Sequence, residues 1–195
     1  MANILGRFYQ LDRRRRQTII YSVVAGFGII LILGAFLAFR STEPMRLHED
    51  RKSGFSLLVP KTWEKKIDFH GAALSAYSPV ENELDWFLEN INVVVQDISS
   101  NPLSLDEYSE LAIRQVEVVF KENVQVLKAK SARFAGRPGY MFNYIGKGPQ
   151  GDVKIIHFWT LDGLTAYQFT YTAIVPDFDK YWPTAKKMMK SFKIL

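Results

Sequence analysis

Residues 140–173, YMFNYIGKGPQGDVKIIHFWTLDGLTAYQFTYTA, decide the fold. Tyr140, Phe142 and Tyr144 alternate with Met141, Asn143 and Ile145, and Val153, Ile155, His157 and Trp159 alternate with Lys154, Ile156, Phe158 and Thr160. Tyr167, Phe169, Tyr171 and Ala173 repeat the pattern a third time. A side-chain period of two, in segments rich in aromatic and β-branched residues, is that of β-strands. The loop GKGPQGD at 146–152 reverses the chain, and Asp162-Gly163 marks a tight hairpin. Strands joined by such short loops run antiparallel, because a parallel pair needs a crossover of a dozen or more residues. The expected class is α+β rather than a parallel doubly wound fold.

Upstream of this meander, Val124, Val126 and Phe134 start the same block of strands. Ser104-Leu105-Asp106-Glu107 is a capping box and opens a helix. Leu105, Tyr108, Ala112, Val116 and Val119 recur on that helix at helical spacing, Leu111, Val118 and Phe120 widen the stripe, and Asn123 suits its end. Ile91, Val93 and Val95 form an earlier strand, and 65–69 with 72–78 form two short ones around Gly71. In GFSLLVPKTW, Phe55, Leu57 and Val59 alternate until Pro60 stops the strand. Downstream, Tyr181, Trp182, Ala185, Met188, Met189 and Phe192 give a closing helix from about Asp179, with Pro183 expected in its first turn, where a missing N–H has no partner. The order of elements implies one antiparallel-sheet domain flanked by helices over residues 54–195.

The N-terminal region has a different character. Thr18 to Phe39 contains no charge, and as a helix its 22 residues reach roughly 33 Å, enough for a bilayer core of about 30 Å. That run is longer than the about 7–15 apolar residues of a cleavable signal, and a cut after Ala38 would put Phe36 where a small residue is wanted. A retained single-pass transmembrane helix over 18–39 is expected. Arg13, Arg14, Arg15 and Arg16 precede it, so the positive-inside bias keeps the 1–17 tail cytoplasmic and places the domain outside a plasma or inner membrane, in the periplasm or its equivalent. Ser22 with Gly26, and Gly34 with Ala38, are small-residue pairs that would let another helix approach closely. Residues 40–53, polar and without periodicity, read as a linker.

Six Arg and one acid in residues 1–40 account for the whole net charge of +5, so the remainder is neutral. A neutral domain has no electrostatic excess for a phosphate backbone, and nucleic acid is not an expected partner. The absence of Cys removes disulfides, thiolate metal sites and Cys nucleophiles. His48, His70 and His157 are not spaced as a metal motif, and His157 reads as a packed strand residue. No G-x-S-x-G occurs, and GKGPQGD lacks the order of a phosphate loop. Glu81, Glu83, Asp85 and Glu89 lack EF-hand spacing and read as a solvated acidic loop. Trp86 and Phe87 within it are candidate partner contacts, since exposed aromatics anchor interfaces. Tyr140, Phe142, Tyr167, Phe169 and Tyr171 are candidates for lining an apolar pocket. No catalytic residue, metal or cofactor is expected.

GFSLLVPKTW, the NINVVVQDI strand and the helix opened by SLDEY resemble the PsbP-like family, as do Gly136-Arg137-Pro138-Gly139-Tyr140, the aromatic hairpin and the final SFKI. The wider Mog1/PsbP-like group takes in the DcrB-like and LpqN-like envelope proteins. The resemblance implies a central antiparallel sheet flanked by helices in a Mog1/PsbP-like sandwich, and generally a non-enzymatic role. It does not carry over ion-binding residues or a photosynthetic function. The expected function is a non-catalytic, membrane-anchored accessory or assembly subunit of a membrane protein complex, acting by protein–protein recognition. The alternative is an envelope-side binding module for a lipid or other small apolar ligand.

Overall fold

A computed structural model describes residues 43–148 and 151–195. Arg13 to Arg16, the Thr18–Phe39 segment and its Ser22, Gly26, Gly34 and Ala38 lie outside the described residues, as does the membrane topology read from them. Among the described residues no helix is long and apolar enough to cross a membrane.

Seven strands form the main sheet: β3 (Glu64–Phe69), β4 (Ala72–Tyr77), β5 (Asn90–Asp97), β6 (Val124–Phe134), β7 (Arg137–Gly146), β8 (Val153–Asp162) and β9 (Thr165–Ile174). Their spatial order is β3-β4-β5-β9-β8-β7-β6, and every neighbouring pair is antiparallel. The period-two reading of residues 140–173 thus corresponds to three adjacent strands. β8 and β9 are joined through a two-residue turn, with Asp162 opposite Thr165 and Gly163 at φ +60°. A second tight turn at Ala135-Gly136, both residues at positive φ, joins β6 to β7. The other sheet has three strands, in the order β1 (Met45–Asp50), β2 (Phe55–Pro60) and β10 (Lys193–Ile194).

Two helices complete the domain, α1 (Leu105–Phe120) and α2 (Phe178–Ser191). The small sheet and α2 together cover one face of the large sheet. Phe55, Leu57 and Val59 of β2 and Ala185 and Met188 of α2 meet Leu74, Ile91, Val93, Phe158, Phe169 and Tyr171 there. α1 covers part of the other face, where Tyr108 packs with Phe142, Tyr144, Ile155 and Trp159.

Three expectations are corrected. Residues 45–50, read as linker, are β1, paired residue for residue with β2; the strand shows no apolar alternation because its Leu47 is exposed while the polar His48 and Asp50 are half-buried. On α1, Val119 with Leu111 and Val118 points outward, and the buried or half-buried set is Leu105, Tyr108, Ser109, Ala112, Ile113, Val116 and Phe120. The apolar arc of the helix is simply wider than the arc the sheet covers. Pro183 stands in the second turn of α2, not the first, so it offers no N–H to the carbonyl of Asp179, an exposed residue.

Candidate functional site

On the face covered by α1, polar side chains fix the helix to the sheet. Ser104 caps it, accepting from the Glu107 N–H while Glu107 accepts from the Ser104 N–H. The buried Trp159 Nε1 donates to Ser109 Oγ at 2.7 Å, and Ser109 Oγ donates onward to the Leu105 carbonyl. Tyr108 Oη donates to Gln96 and accepts from Gln168. Beside this network lies a cleft of about 190 Å³, its walls including Val116, Phe120, Tyr144, His157 and Gln168.

His157 is half-buried in the wall of the cleft, with Nε2 3.4 Å from Tyr144 Oη. Lost hydration pushes the imidazole down to about 4 and the Tyr144 phenol upward, so both are neutral near pH 7. Neither is paired with a carboxylate, which would be needed to raise the basicity of the ring. The cleft is also smaller than the roughly 300–1,000 Å³ typical of ligand pockets. The proposed aromatic lining does not come together. Tyr140 and Phe142 lie on the α1 face, whereas Tyr167, Phe169 and Tyr171 lie on the opposite face, in the closed core under α2 and the small sheet. Tyr140 and Phe142 share a phase within β7, but their partners on β8, Trp159 and His157, pair in turn with Gln168 and Thr170 of β9 rather than with Tyr167 or Phe169. Among the described residues no group of three His, Asp or Glu side chains could hold a metal ion.

The most distinctive surface lies at one end of the sheet, where the 78–89 loop joins β4 to β5. Its base is closed by Ser78, whose N–H donates to the Glu89 carbonyl and whose Oγ donates to the Glu89 carboxylate. Glu89 is buried, and desolvation pushes its pKa up. The rim of the loop is held to α2: Lys180 Nζ and Tyr181 Oη both donate to Glu81, and these bonds hold the Glu81 carboxyl below its ordinary range. Within the loop the Glu81 N–H donates to Asp85, and the Leu84 N–H donates to the Asn82 side chain.

This bonding leaves apolar side chains in water. Leu84 is 86% exposed, Val80 64% and Trp86 58%. Phe87 is half-buried behind Trp86, the rings meeting edge to face at 5.7 Å. Trp86 also lies beside Gly151 of the β7–β8 loop. On α1, Val118 and Val119 are each 74% exposed. The sequence pointed to Trp86 and Phe87 by composition alone; Leu84, Val80 and the Glu81 clasp had no signal beyond their place in an acidic stretch.

The start of the domain falls at this same end. The Lys61 N–H donates to the Pro44 carbonyl, and Met45 pairs with Pro60. Trp63 follows, its ring against Tyr181, which in turn holds Glu81.

Compared with protein families, residues 43–194 match the PsbP model. The chain belongs to the PsbP family. No curated protein sequence matches it significantly. Among solved structures, this PsbP-family domain is similar to cyanobacterial PsbP (CyanoP) from Synechocystis sp. PCC 6803, with a TM-score of 0.58 and 15% identity over 78% of this chain and 94% of that one. It is similar also to the Saccharomyces cerevisiae Ran-binding protein Mog1p, with a TM-score of 0.54 and 9% identity over 78% and 96% of the two chains. LpqN, involved in cell envelope biogenesis in Mycobacterium tuberculosis, gives a TM-score of 0.52 and 11% identity over 78% and 86%. At such identities the likeness is one of fold, and the PsbP-family architecture of sheet and two helices is shared across all three.

Proposed function

We propose that this PsbP-family chain is a non-catalytic accessory or assembly subunit of a membrane protein complex. In this reading Thr18–Phe39 spans the membrane once, Arg13 to Arg16 hold the N-terminus in the cytoplasm, and the domain works on the far side by protein–protein recognition. The observation that carries the proposal is the set of apolar side chains left in water, Val118 and Val119 on α1 and, separately, Leu84, Val80 and Trp86 on the 78–89 loop with Phe87 behind them. Water-exposed apolar side chains on a loop fixed by its own hydrogen bonds lose little conformational freedom on binding, which favours association. An anchor would confine this surface to the plane of its partner and raise the effective concentration. Ser22, Gly26, Gly34 and Ala38 would offer the partner a close helix contact within the bilayer.

A ligand-binding role has less support, since its aromatic candidates are divided between the two faces of the sheet. The test is gentle extraction of the full-length chain from native membranes. Co-migration with membrane protein subunits in fixed ratio, lost in Val118→Lys/Val119→Lys, is the expected result. A monodisperse monomer with no companion overturns the proposal.

A further inference from the structure

The length of chain between the apolar run and the domain limits where the loop end can be. Phe39 is the last residue of that run, and Pro44 is already bonded to Lys61 at the edge of the fold. Five residue steps at no more than about 3.6 Å each span at most roughly 18 Å. The headgroup layer on one side of a bilayer is about 5–8 Å deep. If 18–39 spans the membrane, the tether lets Pro44 stand no more than about 10–13 Å beyond the headgroups, so that end of the domain stays close to the lipid surface. That end also presents Leu84, Val80 and Trp86, linked to the entry point through Trp63, Tyr181 and Glu81.

We infer that the Leu84–Trp86 tip of the loop rests in the headgroup layer of the bilayer in which the chain is anchored, so that the domain sits in one orientation rather than swinging on its tether. This rests on the single-span reading in the proposed function, and it divides the exposed surface. The loop tip meets lipid, and the Val118–Val119 flank of α1 is left for protein. An indole beside a leucine suits this depth, where Trp is enriched because one part of the ring is apolar and its N–H is polar. Charge selects the lipid. The 78–89 loop has four acids and no base; Glu81 is paired with Lys180 and Glu89 is buried, so Glu83 and Asp85 remain to repel an anionic headgroup. The surface fits zwitterionic or neutral lipid.

The test uses the full-length chain reconstituted in phosphatidylcholine vesicles, with or without bromine on the upper acyl chain. Of the four Trp, Trp63 and Trp159 are fully buried and Trp182 packs in the core, which leaves Trp86 at the surface. Bromolipid is expected to remove up to roughly a quarter of the emission, the share of one interfacial Trp in four. Trp86→Phe should abolish that loss. Leu84→Glu and replacement of half the lipid by phosphatidylserine should each reduce it. Emission indifferent to bromolipid but quenched by aqueous iodide overturns the inference, as does shielding from both, which would place protein against Trp86. Extraction of the chain from the vesicles by alkaline carbonate is a different failure, because it removes the membrane span itself.

Discussion

Replacing Gly139 by Ala tests the packing of the central strands. Gly139 lies buried in β7, between Ala132 of β6 and Thr160 of β8. A Cβ built there falls against the Trp159 carbonyl oxygen, nearer than side chains are found to approach, with Phe134 on its other flank. The obstacle is backbone within a strand ladder, so a rotamer change cannot relieve it. Overpacking of a tight core costs about 1–3 kcal/mol, and the upper part of that range applies where backbone must move. Displacing β8 also strains the Thr160 Oγ1 bond to the Pro138 carbonyl, 2.6 Å long, a further loss of about 1 kcal/mol. G139A should therefore lose about 3–4 kcal/mol, read by urea unfolding followed through Trp fluorescence as a midpoint lowered by roughly 1.5–2 M. Gly136→Ala is the matched control: its φ is +76° but nothing lies within 4 Å of a Cβ, so it should lose only the left-handed penalty of about 1–2 kcal/mol. A G139A loss below about 1 kcal/mol, or one no larger than that of G136A, would refute the strand contact as described.

Two further changes probe the α1 face. Ser109→Ala leaves the buried Trp159 Nε1 without an acceptor and should lower stability by about 1–3 kcal/mol, whereas Ser109→Thr, which keeps the hydroxyl, should lose less. His157 is held in its neutral form down to about pH 4, while in the unfolded chain it takes up a proton near pH 6.5. Its contribution is complete above pH 6.5 and is lost as pH falls from there toward 4; the full shift corresponds to about 3 kcal/mol, reduced to about 1–2 by the solvent reaching the cleft. His157→Gln should flatten the pH 4–6.5 part of a stability profile, and an unchanged slope would show that the ring is already hydrated.

The architecture was legible where the signal lies within a single element. β7, β8 and β9 announce themselves because aromatic residues alternate with residues of another face, and α1 because Ser104 and Glu107 cap it. Legibility failed where contacts between distant residues set the outcome. β1 carries no apolar alternation, since its Leu47 faces water and the polar His48 is the side chain set against Phe55. The phase of β7 against β9 could not be read, because β8 lies between them and fixes which side chains face together. That hidden phase is why five aromatic residues looked like one lining and are two. At the candidate surface, Trp86 stood out as an aromatic among acids. The bonds from Lys180 and Tyr181 to Glu81 join residues about a hundred positions apart, and spacing says nothing about them.

The place of β10 has a consequence for how the molecule is made. β2 carries Phe55, Leu57 and Val59 into the core, yet one of its two partners is Lys193–Ile194, and the Leu195 N–H closes on the Gly54 carbonyl. α2, which packs over β2, also follows every strand of the large sheet in chain order. A ribosome or translocon delivers the chain N-terminus first, so β2 waits for nearly the whole domain to emerge before its shelter exists. Contacts so distant in sequence fold slowly and only near completion. A nascent chain of this design remains threadable until Lys193–Ile194 has emerged, and loss of that strand leaves one edge of β2 unpaired.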